Sequence, residues 1–199
     1  MFNNTAIDKV IKNALKEDLP YGDATSEALI SSDMRGKAEI ISREDGVVAG
    51  IEIAKRVFEM LDNEVLFESD FSDGQKILKG DVIAKIEGKM RALLMGERTA
   101  LNFLQRLSGI ATNTSIICEM VKEYPVKVTD TRKTSPGLRL MEKYAVRKGG
   151  GWNHRFSLSD GVLIKDNHIK AAGGIKKAVS LAKERNPHTI KIEVETKTI

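Results

Sequence analysis

The sequence predicts an α/β protein in two parts, an N-terminal α/β domain over residues 1–108 and a second α/β domain over residues 109–199. Three observations carry this. After Pro125, strand-like apolar runs alternate with helical ones through short links. Before residue 90, short strand-like runs are set apart by turns bearing Gly and Pro. Between them, from residue 91, lies a long helical segment that the pair Ser108-Gly109 is expected to interrupt.

Residues 5–17 read as a helix, with Ile7, Val10, Ile11, Ala14 and Leu15 on one stripe and Thr5 with Asp8 as a capping arrangement. LPYGDAT then breaks it. Strands are expected at 37–42 and 46–49, a helix at 51–61, and strands at 64–68 and 81–86. The segment SDGQKILKGDVIAKIEG shares its glycine spacing with the hairpins of biotinyl and lipoyl carriers. Lys79, however, stands in a plain Lys-Gly-Asp turn, so a β-rich packing unit is the better reading. In the long helical segment, Leu93, Leu94, Leu101, Leu104 and Leu107 are apolar anchors, and Arg98 and Asn102, four apart, share a polar face. By its local context alone Arg98 is a solvated helix residue.

Downstream, VKVTDT reads as a strand. Ser135-Pro136 suits the cap and first turn of a helix, and Gly149-Gly150-Gly151 ends it. GVLIK is a short strand, residues 174–186 form an amphipathic helix stopped by Pro187, and IKIEVE is a third strand. Short links between such elements imply parallel strands with right-handed crossovers. Working groups then collect at the carboxyl ends of the strands. Those ends carry Thr131-Arg132-Lys133, Lys165-Asp166-Asn167-His168, and the pair Glu193 and Glu195. Two residues apart in a strand, the glutamates point to one side, and Ile192 and Val194 to the other.

Charge locates the function. Residues 127–168 hold nine Lys and Arg against four Asp and Glu, an excess of five in a chain whose net charge is +4. The sequence pI of 9.1 therefore reflects one local concentration, as expected of a site for something anionic. Arg139, Lys143, Arg147 and Lys148 are expected to solvate a helix face. Arg132, Lys133, Arg155 and Lys165 sit at strand ends or beside Gly-rich turns, where arginine forks and compact lysine charges suit carboxylate or phosphate. His154, next to Arg155, is a further hydrogen-bonding group for an anion, while His168 and His188 carry little weight. Nucleic acid is disfavoured, because the basic run has one Trp, one Tyr and one Phe and no groove-reading motif. A Walker loop and zinc spacing are absent.

Cys118 is the single cysteine, which excludes an internal disulfide framework. Its apolar neighbours predict a buried packing role. No run reaches the length of a membrane span, and the N-terminus lacks a secretory pattern, so a reducing cytoplasm is the expected compartment. From the residues alone the reading is an α/β enzyme with a cationic pocket and a carboxylate pair, for a phosphorylated, carboxylate-bearing ligand.

The motifs GERTALNFLQRLSGIAT, TDTRKTSPGLR, GGGWNHRFSLSD, LIKDNHI and IEVE, in this order, resemble the quinolinate phosphoribosyltransferases. The resemblance runs from DLPYGDATSEAL to the last residue. It implies a type II phosphoribosyltransferase: an N-terminal α/β domain followed by the first part of an incomplete, open α/β barrel, assembled as a homodimer. The implied reaction joins quinolinate to phosphoribosyl pyrophosphate and yields nicotinate mononucleotide, pyrophosphate and carbon dioxide, with Mg2+, in NAD biosynthesis. By the same resemblance Arg132, His154, Arg155 and Lys165 hold quinolinate, with Thr131 and Lys133 alongside. Arg98 enters the partner subunit's site. Lys133 and Lys165 stand nearest the reacting bond, and Glu195, with Glu193, contacts the ribose hydroxyls or their metal. The family continues beyond the counterpart of Ile199 with a further acidic residue and Gly-rich phosphate loops, so by the resemblance the chain reads as truncated at its C-terminus. Two alternatives stay open: the phosphoribosyltransferase-like protein of molybdenum-transport operons, and a non-catalytic anion- or nucleic-acid-binding module.

Overall fold

Buried side chains fall where helix and strand periodicity put them. In the computed structural model, which describes residues 4–198, the chain forms two compact units that divide between Asn153 and His154. In the first, helix α1 (Asn4–Asp18) buries Ile7, Ile11 and Leu15, and Asp8 accepts two 2.9 Å hydrogen bonds from Arg56. That hydrogen-bonded guanidinium holds the Asp8 carboxyl below its ordinary range. A short helix, α2 (Ala24–Leu29), follows where the sequence pattern suggests only a break. Its signal is Asp23, whose carboxylate accepts from the Thr25 and Ser26 N–H groups at 3.0 and 3.2 Å.

Strand β1 (Arg35–Ile41) leads through the two-residue β2 (Gly46–Val47) into helix α3 (Ile51–Leu61). Then come β3 (Leu66–Glu68), β4 (Lys76–Ile77) and β5 (Val82–Lys89). The sheet order is β1-β5-β3, all antiparallel, with Gly36 opposite Gly88, Phe67 opposite Ile86 and a bulge at Ile40/Ile41. Ile83, Ala84 and Ile86 of the central strand are buried. β2 pairs with β4, and Lys79 lies in the turn after β4, where its N–H donates to Asp45 at 2.8 Å.

Helix α4 (Met90–Met120) runs unbroken through Ser108-Gly109, against expectation. Local composition lost to packing. Ser108 Oγ accepts the Ala49 N–H at 3.0 Å, and Thr112 Oγ1 accepts that of Val47 at 2.9 Å. These two hydroxyls fasten the β2 segment to α4, and the residues just before each, Leu107 and Ala111, are fully buried. Truncating Leu107→Ala is expected to cost about 2–5 kcal/mol of stability, read as a shift in the denaturant midpoint. The far end of α4 projects from the core, so Ile116 and Ile117 are exposed and Cys118 is half-buried rather than enclosed.

Beyond Pro125 the expected first strand is reduced to a single bridge between Thr129 and Trp152. Helix α5 (Arg139–Lys148) begins later than expected, because Gly137 adopts φ 81° and holds residues 135–138 in a turn. It ends as expected at Gly149, whose N–H bonds to the Ala145 carbonyl at 3.0 Å. Glycine is required there, since a Cβ would stand 2.3 Å from the Ala111 carbonyl of α4. Tyr144 of α5 donates to Asp73 at 2.7 Å, and Asp73 also receives the Gly50 and Ile51 N–H groups that open α3. Burial, then Asp73, pushes the Tyr144 phenol far above its ordinary range.

In the second unit, β6 (Val162–Ile164) is followed by helices α6 (Asp166–Ala172) and α7 (Ile175–Arg185) and strand β7 (Ile192–Val194). β6 and β7 pair in parallel, Ile164 opposite Val194, as the alternating pattern predicts. Helix α6 has no counterpart among the expected elements.

Candidate active site

In the first unit, the turn after Val128 is tied down before it reaches its charged residues. The Trp152 N–H donates to the Val128 carbonyl at 2.8 Å, and the Asp130 N–H to the Trp152 carbonyl at 3.1 Å. Thr131 Oγ1 then accepts the Lys133 N–H at 3.0 Å, which closes the turn around Arg132. Arg132 is half-buried, and its Nε is inaccessible and has no hydrogen-bond partner among the described residues. A buried donor left so costs about 1–3 kcal/mol, a cost an incoming acceptor would relieve. Thr131 and Lys133 are exposed. Beside them is a cleft of about 200 Å3 whose lining includes Asp130, Glu142 and Lys143.

The four cations expected to solvate a helix face do not behave alike. Lys143 is a correction: its side chain is 4% exposed and pairs with Asp130, itself 7% exposed. Arg139 donates through Nε to Thr134 Oγ1 at 3.1 Å. Arg147 lies 5.0 Å from the Trp152 ring centre and Lys148 5.2 Å from that of Tyr144, so both spread over aromatic faces. Glu142, also buried, accepts from Arg106 Nε at 2.8 Å and from the Ser135 N–H at 3.2 Å. Sequence reasoning passes over Arg106, Asp130, Glu142 and Asn153. Arg98 lies on the exposed face of α4, with no ion pair or hydrogen bond to a described side chain.

In the second unit there are two acid–base pairs, one to the middle residue of β7 and one between the residues that directly follow β6 and β7. His154 Nε2 is 3.0 Å from Glu193 Oε2, and Lys165 Nζ is 2.9 Å from Glu195 Oε2. Lys165 follows β6 directly. Glu195 follows β7, and its N–H reaches back to the Ile164 carbonyl at 2.9 Å, extending the parallel ladder by one bond. Glu193 and Glu195, expected on one side of the strand, meet different partners, His154 and Lys165. His168 serves the backbone instead, its Nδ1 accepting the Lys165 N–H at 2.9 Å at the start of α6.

Arg155 donates through Nη1 to the Gly161 carbonyl at 2.8 Å and so closes a loop over residues 155–161. Asp160 fixes the same loop, accepting from the Phe156 N–H and from the Ser157 N–H and hydroxyl. The Ser157 hydroxyl, then the Phe156 N–H, hold its carboxyl down at about 2. Arg155 thereby keeps a set position with donors to spare.

Among the described residues no cluster of three or more His, Cys, Asp or Glu is gathered for a metal. In the second unit the exposed Glu193 and Glu195 offer carboxylate oxygens, the ligand type that a hard cation such as Mg2+ takes. No helix among the described residues is long and apolar enough to cross a membrane.

Comparison with known proteins agrees with this architecture. The family model for the quinolinate phosphoribosyl transferase N-terminal domain matches residues 23–108, and that for the C-terminal domain matches residues 110–199. A probable carboxylating nicotinate-nucleotide pyrophosphorylase of Bacillus subtilis is 45% identical over 98% of this chain and 68% of its own length. A decarboxylating quinolinate phosphoribosyltransferase of Nicotiana tabacum is 45% identical over 96% of this chain and 55% of its own. The crystal structure of NadC from Streptococcus pyogenes superposes with a TM-score of 0.96 at 44% identity, covering all of this chain and 70% of that one. The chain therefore spans about two thirds or less of the curated relatives it matches. With both family domains matched over most of its length, the chain belongs to the quinolinate phosphoribosyltransferase family.

Proposed function

We propose that the protein transfers the phosphoribosyl group of phosphoribosyl pyrophosphate to quinolinate with decarboxylation, forming nicotinate mononucleotide, pyrophosphate and carbon dioxide. The observation that carries this is the two pairs His154–Glu193, on β7, and Lys165–Glu195, just after β6 and β7, with Arg155 held at Gly161. An imidazole and an ammonium, each beside a carboxylate that a ligand anion can replace, with a guanidinium close by in the chain, suit a dicarboxylate. Within the same family fold, the arginines at 132 and 155 favour quinolinate over the substrate of the molybdenum-operon relatives.

Arg132, His154, Arg155 and Lys165 bind the carboxylates of quinolinate, with Thr131 and Lys133 alongside. The pyridine nitrogen displaces pyrophosphate at the anomeric carbon. Lys133 and Lys165 offset negative charge on the groups that separate, an electrostatic contribution that needs no covalent intermediate. The pyridinium so formed draws the electron pair of the bond to the 2-carboxylate onto the ring as carbon dioxide leaves, and the ring carbon then takes a proton from water. Glu193 and Glu195, once released from His154 and Lys165, receive the ribose hydroxyls. Mg2+, held by Glu195 with substrate oxygens, would neutralise the pyrophosphate charge. Holding two polyanions together is most of the protein's work. A homodimer, with Arg98 serving the partner's pocket, and a cytoplasmic location belong to the same reading. So does the division at residue 108 into two domains that share α4.

The test is release of carbon dioxide from carboxyl-labelled quinolinate, which must require phosphoribosyl pyrophosphate. The assay uses the full-length protein, in which no release with both substrates present rejects the assignment. Arg155→Ala is expected to weaken quinolinate binding by roughly 1.5–3 kcal/mol per lost charge-assisted hydrogen bond. Binding of phosphoribosyl pyrophosphate should change far less. Separate calorimetric titrations decide it, and equal losses would remove Arg155 from the quinolinate subsite.

A further inference from the structure

Lys143 is charged, almost wholly enclosed, and has no part in the proposed reaction. Its ammonium pairs with Asp130, and Asn153 joins them by donating through Nδ2 to Asp130 at 2.5 Å and to the Lys143 carbonyl at 2.8 Å. Asp130 immediately precedes Thr131, Arg132 and Lys133. Its backbone N–H is held by Trp152, and its carboxylate by α5 through Lys143. A buried ion pair gains little stability over apolar residues of the same volume, because desolvation opposes the attraction. What such a pair supplies is direction. It fixes one end of a turn whose other end is closed by the bond from the Lys133 N–H to Thr131.

It also supplies neutrality. The cleft beside Thr131 and Lys133 is lined by two carboxylates, Asp130 and Glu142, each paired with a cation, Lys143 and Arg106 respectively. An unneutralised carboxylate next to Arg132 and Lys133 would oppose an incoming anion, the more so because the Asp130 side chain is itself largely removed from water. We propose that Lys143, acting through Asp130, is a positioning residue that holds the Thr131–Lys133 turn in place and cancels the charge beneath it. This rests on the phosphoribosyl-transfer reading for its anion, although the turn can be followed without that reading.

Three forms of the protein test it: wild type, Lys143→Met, and Asp130→Asn with Lys143→Met. Lys143→Met removes the cation paired with Asp130 and is expected to raise the KM for quinolinate about tenfold or more, with a smaller change in kcat. The double variant removes both charges and should bring KM back to within about threefold of wild type. A purely structural role would lower the active fraction, so kcat would fall with KM unchanged and the second substitution would not help. That pattern overturns the proposal. Hydrogen exchange supplies the readout that needs no substrate. The Lys133 amide should exchange faster in Lys143→Met and return toward wild type in the double variant, and equal exchange in all three also overturns it. If wild type fails to use quinolinate, the functional reading falls, and the exchange data still decide the positioning claim. Should Lys143→Met not fold, Asn153→Ala keeps the ion pair and removes its bridge. KM is then expected to rise in the same direction, and no rise counts against the proposal.

Discussion

Lys165→Ala is expected to lower turnover by about 10²–10³-fold, the range for removing one group that stabilises charge developing in a transition state. The fold should barely notice. Lys165 and Glu195 are 2.9 Å apart but 49% and 60% exposed, and pairs of that kind contribute about 0–1 kcal/mol. Activity and stability thus separate in this variant. Side-by-side measurement of kcat and of the urea midpoint makes the comparison. Turnover above half of wild type would mean that Lys165 only balances Glu195. Glu195→Gln is the companion experiment, because it frees Lys165 without deleting it. If Glu195 receives the ribose, that variant loses affinity for phosphoribosyl pyrophosphate while its binding of quinolinate is retained or improved.

Much of the fold was legible because periodicity and turn chemistry agreed. Helix α3 matches its expected span, with Gly50 before it and the apolar stripe Ile53, Ala54, Val57 and Phe58. The parallel pair β6 and β7 followed from short links alone. The failures came where distant partners decided. Ser108-Gly109 looks like a break until Ser108 and Thr112 are seen to carry the β2 backbone. VKVTDT has strand composition, but its neighbour is one residue, Trp152, so only a bridge forms. Ser135-Pro136 offers a good helix start, and the left-handed Gly137 just after it forbids one.

The site divides in the same way. Its expected ligand groups were visible as charge at strand ends or beside Gly-rich turns: Arg132, Lys133, His154, Arg155, Lys165, Glu193 and Glu195. Its supporting groups were not. Lys143 and Glu142 stand in LMEKYAV, where a helical pattern assigns charged residues to solvent. In the structure α5 is enclosed around much of its circumference, burying Met141, Glu142, Lys143 and Ala145 together. A helix in that position needs a countercharge for each ion, and Asp130 and Arg106 come from other elements. Adjacent opposite charges beside buried apolar positions were the available signal, and a weak one.

Arg98 gives the second large effect, through subunit mixing. Its side chain leaves the exposed face of α4 without an ion pair among the described residues, which suits a group that works outside its own chain. If Arg98 serves the partner's pocket, the Arg98→Ala homodimer has two defective sites, and so has the Lys133→Ala homodimer. Mixing the two variants with subunit exchange changes the composition of the pockets. In a heterodimer, one pocket receives intact Arg98 from one chain and intact Lys133 from the other, while the second pocket lacks both. Activity should then return from near baseline to as much as half the wild-type level per heterodimer, as an isologous two-fold arrangement requires. An Arg98 that acts within its own chain gives no recovery, since every pocket still lacks one group. Native mass spectrometry of the mixture supplies the control. Heterodimers present with activity still at baseline would return Arg98 to the role of a solvated helix residue.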